Sequence, residues 1–471
     1  MRLTRSQTMD ESGPISILLG ARRRTRVRFF LCFWLFILSA IAFLDRTNVS
    51  VAALQIQSEF GFGDQHLGWI FSAFLIGYAT FQLPAGILAV RFGPRRVLTL
   101  GIVIWSFATA LTALLPTGIS DALLLLILVR FCLGMGESVI CPASNQFISR
   151  WVPQSELGLV NGLVLAGVGV GSGLTPPLLT WIITEHGWRA AFWFSAVIGV
   201  TASAVWWMFA RDTPGEHPGV SRAERMEIRE GGACSSQDAS AASSRKHLRI
   251  PWRILLSRAD LKLLMIGYFC FGYIAWVFFS WFFLYLAKAR GLDLKASAYC
   301  TMLPFICMTI FSLVGGALSD QLTQKVSLRV GRCMLASCSL FLTAIFLILG
   351  SRARDPELAA VLLAVGAGAL YLSQSSFWSV SVDIAGRTSG VFASLVNMSG
   401  QIGGAITASL TPWLAERFSW RMPFTVAAGL GLIGAVSWLI VHPERALEPC
   451  TTSRAGEMGI ETAVLGGSPA L

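Results

Sequence analysis

Gly86-Ile87-Leu88-Ala89-Val90-Arg91-Phe92-Gly93-Pro94-Arg95-Arg96 ends one long apolar run and begins the next. Glycine followed by proline breaks the chain between two helices, because proline is tolerated only in a first helical turn. The three arginines then mark the side on which the break lies, since basic loops stay on the cytoplasmic face of a membrane. Outward from this turn, apolar runs of similar length recur along the chain. Twelve are read, at roughly 29–52, 67–90, 97–115, 122–142, 157–183, 188–209, 261–286, 298–320, 333–350, 358–380, 390–412 and 421–441. About 20 apolar residues cross the hydrocarbon of a bilayer, and a helix satisfies its own backbone there. The expected fold class is an all-α membrane protein with twelve transmembrane helices.

Composition excludes the soluble alternatives. Of 471 residues, 54% are apolar and 13% charged, against about a quarter charged in soluble domains. A soluble enzyme, a disordered scaffold and a coiled coil are all ruled out. The net charge of +11 would suit a nucleic-acid binder, so its placement decides. Most of the 37 Lys and Arg lie in the N-terminal tail, in loops 2–3, 4–5, 6–7, 8–9 and 10–11, and in the C-terminal tail. All of these share one side if both termini are cytoplasmic. The excess is topological, and no nucleic-acid partner is expected. Ala40-Ile41-Ala42 has the look of a signal cleavage site, but cutting there would leave eleven spans and spoil the asymmetry.

The long break between spans 6 and 7 divides the chain. Residues 1–28 form a basic cytoplasmic tail, 29–210 an N-terminal six-helix half, 211–258 a cytoplasmic linker, 259–442 a C-terminal six-helix half and 443–471 a disordered cytoplasmic tail. Ser221-Arg222-Ala223-Glu224 fits a capping box, so a short helix to about Arg229 is expected. Gly231-Gly232, Ser235-Ser236 and Ser243-Ser244 read as a mobile linker. The halves repeat. Gly86-Ile87-Leu88-Ala89-Val90 recurs as Gly316-Ala317-Leu318-Ser319-Asp320, Leu174-Thr175-Pro176 as Leu410-Thr411-Pro412, and Trp188-Arg189-Ala190-Ala191-Phe192 as Trp420-Arg421-Met422-Pro423-Phe424. Three matches in one order, each about 230 residues apart, indicate the parallel repeat of a transporter.

The stretch 86–96 resembles the loop 2–3 signature of the major facilitator superfamily. Arg130-Phe131-Cys132-Leu133-Gly134-Met135-Gly136-Glu137 resembles its span 4 motif. Phe43-Leu44-Asp45-Arg46-Thr47-Asn48-Val49-Ser50-Val51-Ala52 and Ser72-Ala73-Phe74-Leu75-Ile76-Gly77-Tyr78 resemble spans 1 and 2 of its anion:cation symporter branch. That branch carries sugar acids such as galactonate, glucarate and hexuronate, tartrate, aromatic acids, phosphate and sialic acid. Two departures stand out. Val90 replaces the acid of the loop 2–3 signature, which in the family helps latch the halves on the cytoplasmic side. The latch is then expected to be looser, or to rest on Asp320 and the arginines. Span 7 reads Trp281-Phe282-Phe283-Leu284-Tyr285 where the branch often has a proline, which is expected to stiffen a bending helix.

Ionisable residues inside spans are costly and mark function. Asp45, Arg46, Arg130 and Glu137 are the clear cases. Arg46 is the expected anchor for an anion, since a guanidinium grips a carboxylate with two parallel hydrogen bonds; the resemblance gives it the same role. A structural pair with Asp45 is the alternative, though helix neighbours point apart. Arg130 and Glu137 are seven apart on one helix face, and a packing role for Arg130 weighs equally. Glu137 has no basic residue one turn away on its helix, and the resemblance makes it the proton carrier, with Asp45 second. The expected coupling set is Asp45, Glu137 and Arg130.

Tyr78 and Asn397 are placed near the substrate by the resemblance, with hydrogen bonding between helices as the equal alternative. Ser373 and Gln374, in Ser373-Gln374-Ser375-Ser376, are candidates for the C-terminal wall of the cavity. Tyr268, Tyr273, Trp276, Trp281 and Tyr285 of span 7 read as packing before gating. Gly86, Arg91, Gly93, Arg95, Arg96 and Asp320 form the expected conformational set. Gly167-x-Gly169-x-Gly171-x-Gly173 lacks the strand and acid of a nucleotide loop and reads as close helix packing. The ten cysteines form no CxxC pair, so no metal, disulfide framework or cofactor is expected.

The expected function is proton-coupled symport of a small organic anion, a sugar acid or small carboxylate, by a monomer in a bacterial inner membrane, with no enzyme activity. A phosphate carrier or an uncoupled anion exchanger is the alternative, and a ligand sensor signalling through the linker a remote one.

Overall fold

A computed structural model describes residues 25–117, 121–153, 156–230, 257–385 and 389–444. Most of the basic tail, the Gly/Ser-rich linker segment 231–256, Arg387 and the C-terminal tail lie outside the described residues. Regular structure among the described residues is entirely helical. Eleven helices are long and apolar enough to cross a membrane. Span 1 is Val27–Phe60, span 2 Asp64–Phe92, span 3 Pro94–Ala113, span 4 Ala122–Trp151, span 5 Leu157–His186 and span 6 Trp188–Phe209. Span 7 is Ala259–Ser280, continued by Phe282–Leu284 and a wide turn over Tyr285–Ala289. Span 8 is Leu294–Lys325, span 9 Val330–Arg352, span 10 Pro356–Leu372 with Gln374–Ala385, and span 12 Arg421–Ile440. Span 11, Ser389–Arg417, has 29 residues but is diluted by Asn397, Gly400, Gln401, Gly403 and Gly404. It completes the twelve.

Local chemistry sets the ends. Gly93 turns the chain between spans 2 and 3 at φ +88°, a conformation that strains other residues. A Cβ there would also meet the Asp212 carboxylate at 2.6 Å. Asp293 and Asp355 cap spans 8 and 10 by accepting from the N–H groups of Ala296 and Leu358. Spans 4 and 10 are interrupted at Ser138–Val139 and at Ser373, corresponding places in the two halves.

Span 7 corrects one expectation. It is interrupted at Trp281 although no proline is present. The Ser280 carbonyl accepts from the Ser50 hydroxyl of span 1 at 2.8 Å, and the Trp281 indole donates to the Ala408 carbonyl of span 11 at 3.0 Å. The Ser50 side chain of span 1 thus satisfies a span 7 carbonyl at the break, as membrane helices require.

Within each half, helices cross where side chains vanish. A Cβ on Gly171 would come 2.2 Å from the Ala40 carbonyl of span 1, and one on Gly272 2.1 Å from that of Gly400 in span 11. Gly167 faces span 1 as well, and Gly169 faces Thr309 of span 8 in the other half. The glycine row is a packing surface on two sides. The repeated tryptophans obey the repeat: Trp188 donates to Gln55 and Glu59 at the end of span 1, and Trp420 lies 5.8 Å from Tyr285 at the end of span 7.

Hydrogen bonds tying the halves together cluster at the face opposite loops 2–3 and 8–9. Besides Ser50–Ser280, Ser72 reaches the Ala405 carbonyl at 2.6 Å and the Ser409 hydroxyl at 2.7 Å, and Lys288 bonds both Gln57 and Asp64. On the loop 2–3 face, helix Arg222–Glu230 docks on the start of span 1. Ser221 caps it as expected, accepting from the Glu224 N–H at 3.2 Å. Glu224 itself is buried and accepts from the Thr25 hydroxyl and from the Val27 and Arg28 N–H groups, a carboxylate on a helix N-terminus.

Candidate functional site

Spans 1, 2 and 4 bring the ionisable residues together inside the N-terminal bundle. Arg46 donates from Nε to Glu137 Oε2 at 2.7 Å, and both side chains are buried. Aromatic faces surround the guanidinium: Phe43 at 4.0 Å, Tyr78 at 4.9 Å and Phe74 at 5.6 Å from ring centroid to Cζ. The aromatics hold the cation by its flat face, and the pair with Glu137 uses Nε. The edge carrying the terminal nitrogens is left for another acceptor, with Tyr78 as its polar neighbour.

Glu137 has no basic residue one turn away on its own helix, yet it has a cation at hydrogen-bond distance from span 1. The partner comes from another helix, 91 residues away, where helical spacing carries no information. Arg46 likewise pairs with Glu137 and not with Asp45. Arg130 is buried beneath Phe74, 5.2 Å from the ring centroid. Its Nε and Nη1 have no hydrogen-bond partner, nor do either of the Asp45 oxygens or Glu137 Oε1. Asp45 lies within electrostatic reach of Glu137 and Arg130. Two arginines and two carboxyls share this enclosure, so the ionised set is neutral.

Both halves contribute phenols. Tyr78 Oη is 3.7 Å from Cys141 Sγ, just past the interruption in span 4. Tyr268 of span 7 comes within electrostatic range of Tyr371, Cys141 and Tyr78, and Tyr371 of span 10 within range of Arg46. Cys141 and Tyr371 are site residues that sequence reasoning missed. Tyr371 is a lone phenol on an apolar run and Cys141 follows Glu137 by one turn, which were the available signals. Ser373 back-bonds to the Leu370 carbonyl at the break of span 10, whereas Gln374 keeps a buried oxygen without a partner. Asn397 accepts from Gln401 on its own helix at 3.2 Å.

The expected conformational set divides. Asp320 pairs with Arg332 at 2.9 Å inside its own half, not with the loop 2–3 arginines. In the other half Arg95 donates its N–H to Asp212 and its Nη2 to the Trp207 carbonyl. Asp212 at the end of span 6, which sequence reasoning overlooked, meets the turn at Gly93. Arg91 is exposed and Gly86 is open to Pro142 at 3.7 Å; Arg96 is likewise exposed, in the first turn of span 3. A crevice of about 710 Å³ separates spans 2 and 11, lined by Ser72, Ile76, Gln401, Ile402 and Trp413. It is largely apolar and distinct from the Arg46 enclosure.

Twelve membrane-spanning helices in two halves, with ionisable groups buried at mid-depth, define the class of a membrane transporter and not an enzyme. The family model described as Major Facilitator Superfamily matches residues 35–397 and again 322–466. The chain belongs to that family. It is 32% identical over 424 residues to a probable sulfoacetate transporter of Cupriavidus necator, covering 90% of this chain and 95% of the relative. It is 29% identical to a D-galactonate transporter of Escherichia coli, covering 91% and 98%, and 32% identical to a chloroplastic ascorbate transporter of Arabidopsis thaliana, covering 87% and 73%. Among solved structures, a bacterial homolog of the human lysosomal transporter Spinster matches with TM-score 0.72 at 16% identity, over 89% of this chain and 98% of that one. A D-xylose–proton symporter matches with TM-score 0.68 at 14% identity, over 88% and 98%. Both likenesses concern the fold.

Proposed function

We propose that this protein is a proton-coupled symporter of a small organic anion, with Arg46 as the anion's anchor and Glu137 and Asp45 as the proton carriers. The carrying observation is the Arg46–Glu137 pair at 2.7 Å. An incoming carboxylate or sulfonate takes the free edge of the guanidinium by a fork-like bond. Binding adds one negative charge to an enclosure whose two arginines and two carboxyls balance. A proton on one carboxyl restores neutrality, which lowers the cost of closing the site to water. Protonating Glu137 also weakens its hold on Arg46, so proton loading and anion binding favour each other.

The named cargo of the relatives, sulfoacetate, D-galactonate and ascorbate, supports an organic anion. Among the described residues, spans 7, 8, 10 and 11 bring no Lys or Arg to mid-depth. Tyr268, Tyr371 and Gln374 face the anion's far end, which favours a hydroxylated monoanion such as a sugar acid over phosphate or a dianion. The two halves, 29–210 and 259–442, rock about this site. The bonds at Ser50 and Lys288 belong to a conformer closed on the outer face.

The basic loops support cytoplasmic termini in a bacterial inner membrane, and the site is complete within one monomer. The test is uptake into liposomes. A pH gradient should concentrate a labelled sugar acid, and accumulation indifferent to the gradient would leave anion exchange as the function. A single cysteine placed at Ser236, with the ten native cysteines removed, should label only from the cytoplasmic side.

A further inference from the structure

Beyond the break at Trp281, span 7 continues as a short arm, Phe282–Ala289, that ends in a wide turn. The Arg290 N–H closes that turn on the Tyr285 carbonyl at 3.2 Å, and Gly291 at φ +69° turns the chain away behind it. The Arg290 guanidinium then gathers acceptors. Its Nε donates to the Tyr285 hydroxyl at 2.6 Å, Nη1 to the Ala353 carbonyl at 2.7 Å, and Nη2 to the Gly350 and Ser351 carbonyls at 3.2 and 3.3 Å. The carbonyls belong to the end of span 9, where a helix leaves its acceptors unmet and carries partial negative charge. Tyr285 also packs edge-on against Phe424 of span 12 at 4.9 Å. From Trp281 to Leu286 every side chain is at most 3% exposed.

The arm touches the other half as well. Ser50 donates to the Ser280 carbonyl at its root, Phe71 of span 2 packs on Trp281 at 5.4 Å, and Lys288 bonds Gln57 and Asp64 at its tip. When the halves part at this face, the arm stays with one of them. The two sets of polar contacts differ in kind. Lys288 is a flexible cation in a pair 32% and 18% exposed, where water screens the attraction. Arg290 is a planar fork with charge-assisted bonds to fixed backbone oxygens. The weaker set faces the other half, and it yields first.

We infer that Arg290 is a positioning residue that pins the outer arm of span 7 to the ends of spans 9 and 12, so that the arm travels with the C-terminal half and the outer face opens by parting at Ser50–Ser280 and Lys288–Asp64. An arm free to swing about Trp281 would instead open the site to the outside without the halves moving. Ser50 governs the bond at the break, and Arg290 governs where the far end of the arm goes. The inference rests on the reading that the halves rock, and is independent of which anion or coupling ion is carried.

The experiment reads distances between spin labels on pairs of introduced cysteines, in protein lacking the ten native ones. One pair, at Ala289 and Glu357, lies within the C-terminal half; the other, at Ala289 and Asp121, crosses the halves. All three positions are exposed. Gly68→Trp forces the outer face open, because even a Cβ at Gly68 would come 2.7 Å from the Ala408 carbonyl of span 11. It should lengthen the crossing distance and leave the internal one unchanged. Adding Arg290→Gln should split the internal distance into two populations. If that variant is lost from the membrane, Arg290→Lys, which keeps the charge and loses the fork, carries the same comparison. An internal distance that shifts with Gly68→Trp while Arg290 is intact shows an arm swinging by itself and overturns the inference. So does an internal distance that stays single without the Arg290 fork. A crossing distance that Gly68→Trp does not lengthen overturns the rocking reading itself.

Discussion

Ser50 donates its hydroxyl to the backbone carbonyl of Ser280 at 2.8 Å, and the two residues are 230 positions apart. That separation is the offset of the internal repeat, so the bond joins near-equivalent points of spans 1 and 7 across the halves. Span 1 runs through unbroken, while span 7 is interrupted at the next residue, Trp281. One repeat therefore supplies the donor that the break in the other repeat requires. The bend that a proline would have imposed is maintained by a contact between halves, and it depends on the conformer in which those halves touch.

Lys288 should act with this contact as an outer latch. It bridges to Gln57 and Asp64, with side chains 32% and 18% exposed for the Lys288–Asp64 pair. Half-exposed ion pairs contribute about 0.2–1 kcal/mol, so Lys288→Gln should shift the balance toward the outward-open state up to about fivefold. Labelling of a cysteine placed in the outer vestibule would report it. Exchanging the charges, Lys288→Asp with Asp64→Lys, should restore the wild-type rate; no recovery would mean that the pair does not hold the face closed.

The fold was legible because its determinants are local. Apolar runs, basic loops and the Trp188/Trp420 repeat are written along the chain, and each helix satisfies its own backbone. The site was legible only as a set of residues. Asp45, Arg46, Arg130 and Glu137 announce themselves by their cost in a membrane, but which acid meets which arginine is settled by how spans 1 and 4 cross. The glycines that seat span 4 among its neighbours, such as Gly134 against the Phe74 carbonyl of span 2, carry no partner's name. The break at Trp281 was hidden for the same reason: its stabilising donor, Ser50, lies in the other half.

Arg46→Lys should abolish high-affinity anion binding without unfolding the protein. A lysine retains the charge but cannot bond Glu137 and the anion through separate edges. Losing one charge-assisted hydrogen bond costs about 1.5–3 kcal/mol, or roughly tenfold to a hundredfold in affinity. Thermal-shift titration with a panel of sugar acids measures it. Near-normal affinity in the lysine variant would reduce Arg46 to a structural cation.

Glu224→Ala should destabilise the N-terminal half. The carboxylate accepts from Thr25, Val27 and Arg28 while only 1% exposed. Its loss leaves buried donors unmet at about 1–3 kcal/mol in total, and a melting temperature lower by a few degrees should follow. Glu224→Gln should recover part of the loss, since an amide oxygen still accepts. An unchanged melting point in the alanine variant would show that the short helix does not brace span 1.

Glu137→Gln separates symport from exchange. Its Oε2 is the atom that holds Arg46 Nε, and glutamine keeps an acceptor there while removing the charge. The variant therefore mimics a carrier whose proton never leaves. Arg46 stays positioned, its free edge still takes an anion, and the neutral side chain favours the loaded enclosure. Exchange of labelled anion between equal pools needs no net proton release and should persist. Uphill accumulation driven by a pH gradient needs that release and should vanish. Both assays are run on the same liposomes with the same sugar acid. Accumulation at the wild-type level would move the coupling role to Asp45, whose oxygens have no partner. Loss of exchange as well as accumulation would show that the charge of Glu137, and not its proton, is what Arg46 requires.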